Sequence, residues 1–345
     1  MIRLHVPGFF DGDFSGDNTR LGDAQIIDDG KNFEVIDGYC GNGTTRLISR
    51  LKARGIKSPY LHISHAHGDH DEGIRKIINL KEDGKYVFTP RGLYCYDPDV
   101  LKPGLSNSEI KSDYNYLKTI IAEAKARKIP VTYVGHGSRI DHGDIHIRVF
   151  RYAPTYEGAG EDPHGWAFVN DGSLCYWFPE LSYFTSGDGP ERIYDCCKEW
   201  GIKPKMFKIP HHGNNCTMSQ ANGLKSGGAL YCWDNDYSSS ITDFLQYGRG
   251  RCIQAGIKYL DIHGDINVIF FLKRAVIYKH GQIYRYNCSY NGAPELLNPD
   301  LENVKMVLAG KAGTDDARVT YLLNRRMNPG LIQNEINELY KLIKG

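Results

Sequence analysis

A cluster of potential metal ligands directly follows a short apolar segment of this chain. The apolar segment covers residues 60–63, and the cluster, with the sequence HAHGDH, covers residues 65–70. An extended segment that runs into a turn containing glycine can aim neighbouring side chains at one point. We therefore expect His65 and His67 to reach one cation, and Asp69 and His70, just past them, to reach a second.

The ligand types in this cluster indicate which metal it suits. Neutral imidazoles combined with carboxylate suit zinc, manganese and iron, and zinc is the metal that we favour. A closed structural zinc site normally needs thiolates, whereas residues 65–70 contain no cysteine. The pattern therefore predicts a catalytic centre with two divalent metal ions and open coordination positions. The alternative is a polar loop whose histidines make ordinary hydrogen bonds.

The cluster matches the HxHxDH signature of the metallo-β-lactamase superfamily, and later segments resemble further motifs of that superfamily in the expected order. Asp188 follows residues 181–186 as the superfamily's strand-terminal aspartate does, and residues 207–213 resemble its late strand that ends in a histidine before glycine. Residues 210–213, with the sequence PHHG, and residues 170–174 are similar to the competence-protein nuclease-like branch and to the teichoic-acid phosphorylcholine esterases. The resemblance covers residues 1–290 and implies an α/β fold, the αββα metallo-β-lactamase sandwich.

The resemblance also implies roles for individual residues. Asp188 would bridge the two metals, and its alternative role is to cap the helix that is predicted through Cys197. Superfamily register makes His212, directly before glycine, the metal ligand and leaves His211 to contact the substrate, although the reverse assignment stays open. His263 lies in a segment that resembles the end of competence-type domains, and it is either a substrate contact or a turn residue.

The chain departs from the superfamily pattern at one ligand of the first metal. The resembling hydrolases have a third histidine before the strand that here begins near Ser173, but this chain has Asn170 and Asp171 at that place. His164 lies a few residues upstream and is included as a candidate metal ligand, with Asn170, Asp171 or water as the alternatives. His164 could equally be a turn residue, because proline and glycine flank it. We expect the first metal to bind more weakly than the second.

Composition narrows the choice of partner and compartment. The chain has 345 residues and a net charge of +1, so it lacks the basic balance that phosphate-backbone binding usually requires, and nucleic acid is a disfavoured partner. The 9 cysteines are scattered, which favours a reducing setting. The N-terminus lacks a secretion signal and no segment could span a bilayer, so we expect a protein made in the cytoplasm without membrane contact. Release to the cell wall by lysis remains open.

Short β-like runs alternate with helical ones along the chain. The predicted strands are residues 32–39, 60–63, 86–89, 131–134, 145–152, 165–169, 174–178, 183–186 and 229–233, with a hairpin over 266–278. The predicted helices are residues 44–54, 72–80, 107–128, 220–225 and 241–246. Structural or surface roles are assigned to three histidines in a glycine-rich stretch, His136, His142 and His146. An aromatic wall that binds sugar or choline has three candidates, Tyr94, Tyr96 and Tyr237.

A linker-like segment over residues 291–300 separates the predicted hydrolase domain, residues 1–290, from a small C-terminal domain, residues 300–345. Apolar spacing in the C-terminal part predicts three short amphipathic helices. Residues 307–313, 316–318 and 332–339 resemble the cell-wall-binding repeats of phage lysozymes, although Ala312 stands where an aromatic residue is common and one repeat is present. The alternative is a bundle that stabilises or dimerises the protein.

Together these features predict a metal-dependent hydrolase of a phosphodiester or related ester, acting on a small molecule or on cell-wall polymer. Asp69 would hold the metal that carries the nucleophile, and His211 or His263 would steady the leaving oxygen. Three alternatives stay open. The centre could hydrolyse a cyclic nucleotide or nucleic acid, it could open a lactam or lactone, or it could be a degenerate metal site in a protein without enzymatic activity.

Overall fold

A computed structural model describes residues 2–8, 22–99, 108–151, 166–190, 193–214, 216–234, 248–260, 265–271, 274–279 and 282–287. Its strands in chain order are β1 (Ile2–Val6), β2 (Gln25–Asp28), β3 (Phe33–Ile36), β4 (Tyr60–His62), β5 (Lys81–Glu82), β6 (Lys85–Tyr86), β7 (Gly92–Cys95), β8 (Val131–Tyr133), β9 (Arg139–His142), β10 (Ile145–Arg151), β11 (Leu174–Phe178), β12 (Tyr183–Thr185), β13 (Met206–Lys208), β14 (Tyr231–Trp233), β15 (Lys258–Tyr259), β16 (Ile266–Phe271), β17 (Arg274–Lys279) and β18 (Gln282–Asn287). Its helices are α1 (Gly41–Ala53), α2 (Gly68–Asn79), α3 (Ser108–Ala126), α4 (Trp166–Asp171), α5 (Ile193–Glu199), α6 (Met218–Ser226) and α7 (Gly248–Gln254), and a 3-10 turn covers His211–Gly213.

Two large sheets form the centre of the described part. The first sheet has the order β18-β17-β16-β1-β2-β3-β4-β7-β8, and the second has the order β15-β14-β13-β12-β11-β10-β9. In the first sheet, β3, β4, β7 and β8 are parallel neighbours, so each of these strands needs a crossover connection. In the second sheet, β12 to β15 are parallel as well. The carboxyl ends of neighbouring parallel strands therefore lie at common edges, where loops can bring side chains together.

The burial pattern places the two sheets face to face with helices outside them. In β4, the His62 ring contacts Tyr176 of the second sheet edge-on, at a centroid distance of 5.5 Å. Because successive side chains of a strand point to opposite faces, Leu61 lies on the outer face of the first sheet, where α1, α2 and α3 pack. In β12, Tyr183 belongs to the large apolar cluster that includes residues of the first sheet, while the adjacent Phe184 belongs to a second apolar cluster with residues of α5, α6 and α7. The described chain is therefore an αββα sandwich, as the sequence predicted.

Several sequence predictions need correction. Residues 165–169 were expected to form a strand but belong to helix α4, because a short apolar run does not by itself distinguish a buried strand from a helix. Residues 86–89 are not a strand beyond Tyr86, and the strand that enters the first sheet is Gly92–Cys95. Helices α1 and α2 begin at Gly41 and Gly68, earlier than residues 44 and 72. His164, Tyr237, residues 241–246, His263 and the C-terminal domain lie outside the described residues. None of the described helices is long and apolar enough to cross a membrane.

A buried carboxylate links the two sheets at one side of the sandwich. Glu34 of β3 accepts hydrogen bonds from His62 Nε2 at 2.7 Å and from His142 Nδ1 at 2.8 Å. The Tyr94 hydroxyl donates to the remaining nitrogen of His142 at 3.0 Å, and the Tyr60 ring stacks on His142 at 3.6 Å. Burial by itself raises the pKa of Glu34, but the hydrogen bonds from His142 and His62 outweigh burial and lower it. The predicted structural role of His142 agrees with this packing, whereas Tyr94 is packed in the cluster and is not part of an open aromatic wall.

The Glu34 cluster generates a prediction about stability. Glu34→Ala leaves the buried His62 ring and the mostly buried His142 ring without their acceptor, so we expect the free energy of unfolding at neutral pH to fall by about 3 to 5 kcal/mol. The lowered pKa means that Glu34 stabilises the fold above its unfolded-state pKa of about 4.3 and loses this effect as pH falls through the folded-state value. Urea unfolding should therefore show a difference between wild type and variant that shrinks at acidic pH. Glu82→Ala, at a side chain that is 58% exposed, is the control and should change little.

Candidate metal centre

The segments that carry the candidate ligands pack so closely that glycine is required between them. Gly22 has φ +80°, and a Cβ added to it would lie 1.6 Å from the carbonyl oxygen of Asp69. A Cβ on Gly73 of α2 would lie 1.7 Å from the carbonyl oxygen of Gly38, in the loop after β3. These contacts press the first turn of α2 against the strand ends. They fix the positions of Asp69 and His70.

The first donor group consists of His65, His67 and Asp188. His65 Nε2 lies 3.1 Å from His67 Nδ1 and 3.9 Å from Asp188 Oδ2, so three ligand atoms surround one point. His65 and Asp188 are buried, whereas His67 is 17% exposed. The group comes from the loop after β4 and the loop after β12, and its composition suits a cation such as zinc.

The second donor group consists of Asp69, His70, Asp188 and His212. His212 Nε2 lies 3.0 Å from Asp69 Oδ2 and 3.1 Å from Asp188 Oδ2. His70 Nε2 lies 3.3 Å from Asp188 Oδ1, and both of these atoms are buried without a hydrogen-bond partner among the described residues. Buried polar atoms normally have partners, so their arrangement fits a cation as the missing partner. Asp188 belongs to both donor groups, which is the position expected for a bridging ligand.

A single carboxylate holds the outer ring nitrogens of His65 and His70, that is, the Nδ1 atoms, which point away from the donor groups. Asp37, after β3, accepts hydrogen bonds from His70 Nδ1 at 3.0 Å and from Ser64 Oγ at 2.8 Å. Ser64 Oγ in turn accepts from His65 Nδ1 at 3.0 Å. In their neutral forms, both rings then carry their proton on Nδ1 and turn the Nε2 lone pair towards the donor groups, as a metal ligand requires.

Asp113 of α3 occupies the corresponding position beside His67. Its Oδ2 lies 3.8 Å from His67 Nε2, on the side of the ring away from His65. A carboxylate near the outer nitrogen favours the tautomer that leaves His67 Nδ1 free to bind a cation. Asp113 was not anticipated from the sequence, because it lies far along the chain in a helix with an ordinary amphipathic pattern.

A buried lysine and aspartate support the second donor group. Lys208 of β13 pairs with Asp23, lies 3.6 Å from Asp188 Oδ1 and donates to the carbonyl of Gly187 at 2.7 Å. Asp23 Oδ1 lies 3.7 Å from His212 Nδ1. Asp23 could reach a cation with His70, Asp188 and His212, but its pairing with Lys208 and its place beside the outer nitrogen of His212 favour an orienting role. Burial opposes the charge of Lys208, yet Asp23 and Asp188 outweigh it and raise the pKa of the lysine.

The electrostatics of the two donor groups differ. Burial lowers the pKa of His65 and of His67, so these rings are neutral. Burial also acts to lower the pKa of His212, but Asp188 and Asp69 outweigh it and raise the value to about 10. His70 behaves in the same way, and its pKa lies well above the usual range. The second donor group therefore favours positive charge, which the protonated rings supply when no metal is bound.

The turn after β13 separates His212 from His211. His211, His212 and Gly213 have φ values of 49°, 51° and 89°, so three successive residues adopt the left-handed region, which is costly for histidine. His212 points into the second donor group, whereas His211 belongs to neither group and remains half-buried. This arrangement agrees with the register in which the histidine before glycine is the ligand.

A buried ion pair packs against the turn at residues 211–213. Arg249 of α7 pairs with Asp234 after β14, and its Nε donates at 2.8 Å. A Cβ on Gly213 would lie 2.5 Å from Asp234 Oδ2, so only glycine fits between the turn and this pair. The pair thus explains how the strained turn is maintained.

The structure places the sequence-predicted residues as follows. The described residues brought together are His65, His67, Asp69, His70, Asp188 and His212. His164 and His263 lie outside the described residues, and their roles stay predictions. The supporting residues missed by sequence reasoning are Asp23, Asp37, Ser64, Asp113 and Lys208. The signal that could have revealed Asp37 is an acidic residue directly after a strand and before a glycine-rich turn, whereas isolated residues such as Asp23 carry no local pattern.

Comparison with known proteins gives similarity at the level of structure. No protein-family model matches the chain, and no curated protein matches it. Among solved structures, it is similar to the metallo-beta-lactamase fold protein YhfI from Bacillus subtilis, with 12% identity, a TM-score of 0.47, and coverage of 77% of this chain and 98% of that one. It is similar to a diphosphatase from the PhnP family, with 14% identity, a TM-score of 0.43, and coverage of 79% and 98%. It is also similar to metallo-beta-lactamase SMB-1, with 13% identity, a TM-score of 0.35, and coverage of 73% and 88%. These identities are too low to transfer an activity.

Asp113 generates a prediction about the first donor group. Asp113→Asn removes the charge beside His67 Nε2, so we expect the affinity for the more weakly bound cation to fall by about ten- to a hundredfold. Titration of chelator-treated protein with zinc, followed by calorimetry, measures this directly. The matched control is Asp99→Asn, at a side chain that is 75% exposed, which should leave both affinities unchanged. Equal zinc binding in Asp113→Asn and wild type would contradict the orienting role.

The raised pKa of His212 generates a second prediction. In the metal-free protein, its proton contributes stability fully below an unfolded-state pKa of about 6.5, and this contribution is lost as pH rises through about 10. A cation must displace that proton, so its affinity should increase with pH. We expect added zinc to raise the melting temperature more at about pH 8 than at about pH 6. A rise that does not depend on pH would show that His212 is not a ligand.

Proposed function

We propose that this protein is a metal-dependent hydrolase of a phosphodiester or related ester that uses two divalent cations, with zinc favoured over manganese and iron. The observation that carries the proposal is the pair of donor groups that share Asp188, of which one adds His65 and His67 and the other adds His70 and His212, with Asp69 beside His212. Closed structural zinc sites use thiolates, whereas these groups contain imidazoles and carboxylates only. His67 and Asp69, which are 17% and 26% exposed, lie on the side of the centre that solvent can reach.

The residues of the chain have separate tasks in this reaction. Bound divalent cations would lower the pKa of a water molecule towards about 7 and stabilise charge on the attacked group. Asp37, Asp113 and Asp23 orient the histidine rings, and Lys208 offsets part of the negative charge that the buried aspartates accumulate. His211, which is half-buried and belongs to neither donor group, is proposed to contact the leaving oxygen. His263 is proposed for the same task on the sequence resemblance alone.

The choice of a phosphodiester rests on the sequence motifs that resemble the phosphorylcholine esterases and the competence-protein nuclease-like branch. A cyclic nucleotide, a nucleic acid and a lactam or lactone are the alternative substrates. A panel that contains bis(4-nitrophenyl) phosphate, 4-nitrophenyl phosphorylcholine, a cyclic nucleotide and nitrocefin separates them. Absence of zinc binding by the purified protein would instead favour a degenerate site without enzymatic activity.

Substitution of the second donor group tests the proposal. His212→Ala and Asp69→Ala each remove a ligand from the cation that holds the nucleophile, so we expect hydrolysis of the active panel member to be abolished, with the far-ultraviolet circular dichroism spectrum unchanged. His211→Ala is the matched control, because it changes the neighbouring histidine. We expect it to lower turnover while the zinc content stays at the wild-type value. Wild-type turnover in His212→Ala would remove the proposed centre.

The C-terminal segment is proposed to direct the enzyme to cell-wall polymer, on the resemblance of residues 307–339 to lysozyme wall-binding repeats. Residues 300–345 lie outside the described residues, so the proposal rests on sequence. We expect full-length protein to sediment with purified Gram-positive cell walls and a protein ending at Asn298 to remain in solution. Both forms should hydrolyse a small soluble ester equally. Equal sedimentation of both forms would leave the segment a structural role and would favour a soluble small-molecule substrate.

A further inference from the structure

A buried arginine beside the centre has no carboxylate partner in the described part of the chain. Arg151 ends β10 and is 6% exposed. Its Nε donates to the carbonyl of Gly172 at 2.9 Å, and its guanidinium carbon lies 5.2 Å from the centre of the Tyr96 ring. No described carboxylate lies within 4.0 Å of the guanidinium, and Nη2 is buried without a hydrogen bond. An isolated charge is costly to bury, so an uncompensated guanidinium indicates an anion that binds there.

Other buried polar atoms without hydrogen bonds among the described residues lie on the two segments that contact Arg151. The Tyr96 hydroxyl, in a side chain that is 2% exposed, makes no hydrogen bond of good geometry, although the Tyr114 hydroxyl lies near it. Asn170 Oδ1 and Ser173 Oγ are two more, in the turn that also contains Gly172. Buried polar groups nearly always have a partner, so unmatched groups on the segments that contact a buried guanidinium indicate a site for a polar ligand. The donors, Arg151 and Tyr96, suit an oxyanion, and Asn170 and Ser173 can accept from a hydroxyl beside it.

Two series of contacts place the patch formed by Arg151, Tyr96, Asn170 and Ser173 beside the first donor group. Leu174, which pairs with Arg151 across β10 and β11, donates its backbone N–H to the carbonyl of Ser64, the residue before His65. On the other side, the Tyr96 ring packs against Tyr114 at a centroid distance of 6.0 Å. Tyr114 follows Asp113, which lies 3.8 Å from His67. The patch therefore lies on the flank of the centre where the sequence has Asn170 in place of a histidine.

We propose that Arg151, with the Tyr96 hydroxyl, forms a subsite for a second phosphate group of the substrate. The inference rests on the proposed phosphodiesterase activity and narrows its substrate class to phosphodiesters that carry a further phosphate near the bond to be cleaved. Arg151 provides charge-assisted hydrogen bonds to that phosphate, which orient the diester across the two donor groups. Tyr96 is thus a contact for an anion. Its ring face is turned to Arg151 and is not available to a choline cation.

Binding of pyrophosphate to the full-length protein tests the subsite without hydrolysis. The binding is measured by calorimetry after chelator treatment, so that pyrophosphate cannot bind through a metal ion. We expect wild type to bind pyrophosphate and Arg151→Gln to bind it at least about tenfold more weakly. Arg148→Gln is the matched control, because Arg148 is an exposed arginine of the same strand, and it should bind as wild type does. Tyr96→Phe, which keeps the ring, should weaken binding several-fold and serves if Arg151→Gln does not fold. The subsite is overturned if wild type does not bind pyrophosphate, or if Arg151→Gln and Tyr96→Phe both bind it as tightly as wild type does.

Kinetics on a matched pair of substrates separates this inference from the proposed function. Thymidine 3′-(4-nitrophenyl phosphate) and its 5′-phosphorylated form differ only in the second phosphate. We expect Arg151→Gln to raise KM for the phosphorylated form by about tenfold and to leave KM for the other unchanged. An equal KM change for both substrates overturns the subsite while the hydrolase remains. If zinc-loaded wild type cleaves neither substrate, the proposed function fails, and the calorimetry still decides whether Arg151 binds phosphate.

Discussion

Burial of several aspartates at one edge of the sandwich is the constraint on which the centre depends. Asp23, Asp37 and Asp188 are at most 2% exposed, and Asp69 lies beside them. Negative charges buried this close together would repel one another strongly unless cations are fixed among them. Among the described residues, Lys208 supplies positive charge to these aspartates, and protonated rings add charge when no metal is bound. Divalent cations at the two donor groups would satisfy the same requirement, so the fold and the metal chemistry share one electrostatic basis.

The aspartates also determine how the rings point. Asp37 holds the outer nitrogen of His70 directly and that of His65 through Ser64, and Asp113 lies beside His67. Because each ring is held on its outer side, the inner nitrogen is directed at a donor group before any cation arrives. Close backbone contacts, such as the approach of Gly22 to Asp69, keep these elements from shifting. Hydrogen bonds and close packing within the protein thus set the orientation of the ligand side chains.

The sequence predicted those parts of the structure in which the functional residues themselves form a short, recognisable motif. The run at residues 65–70 concentrates its ligands in six positions, so it was visible at once, and its order with Asp188 and His212 indicated the αββα sandwich. Lys208 and Asp113 act through contacts between segments far apart in the chain, which single-sequence patterns do not reveal. Helix α4 was misassigned as a strand because its short apolar run fits either structure until tertiary contacts decide.

The difference between the two donor groups determines the order in which cations bind. The second group has two carboxylates and two histidines whose pKa values are raised, so its surroundings already favour positive charge. The first group has one carboxylate, shared with the second, and two rings whose pKa values are lowered by burial. A cation at the second group withdraws part of the charge of Asp188 and so weakens the attraction of the first group for another. We therefore expect the second group to fill first and the first group to be the weaker cation site.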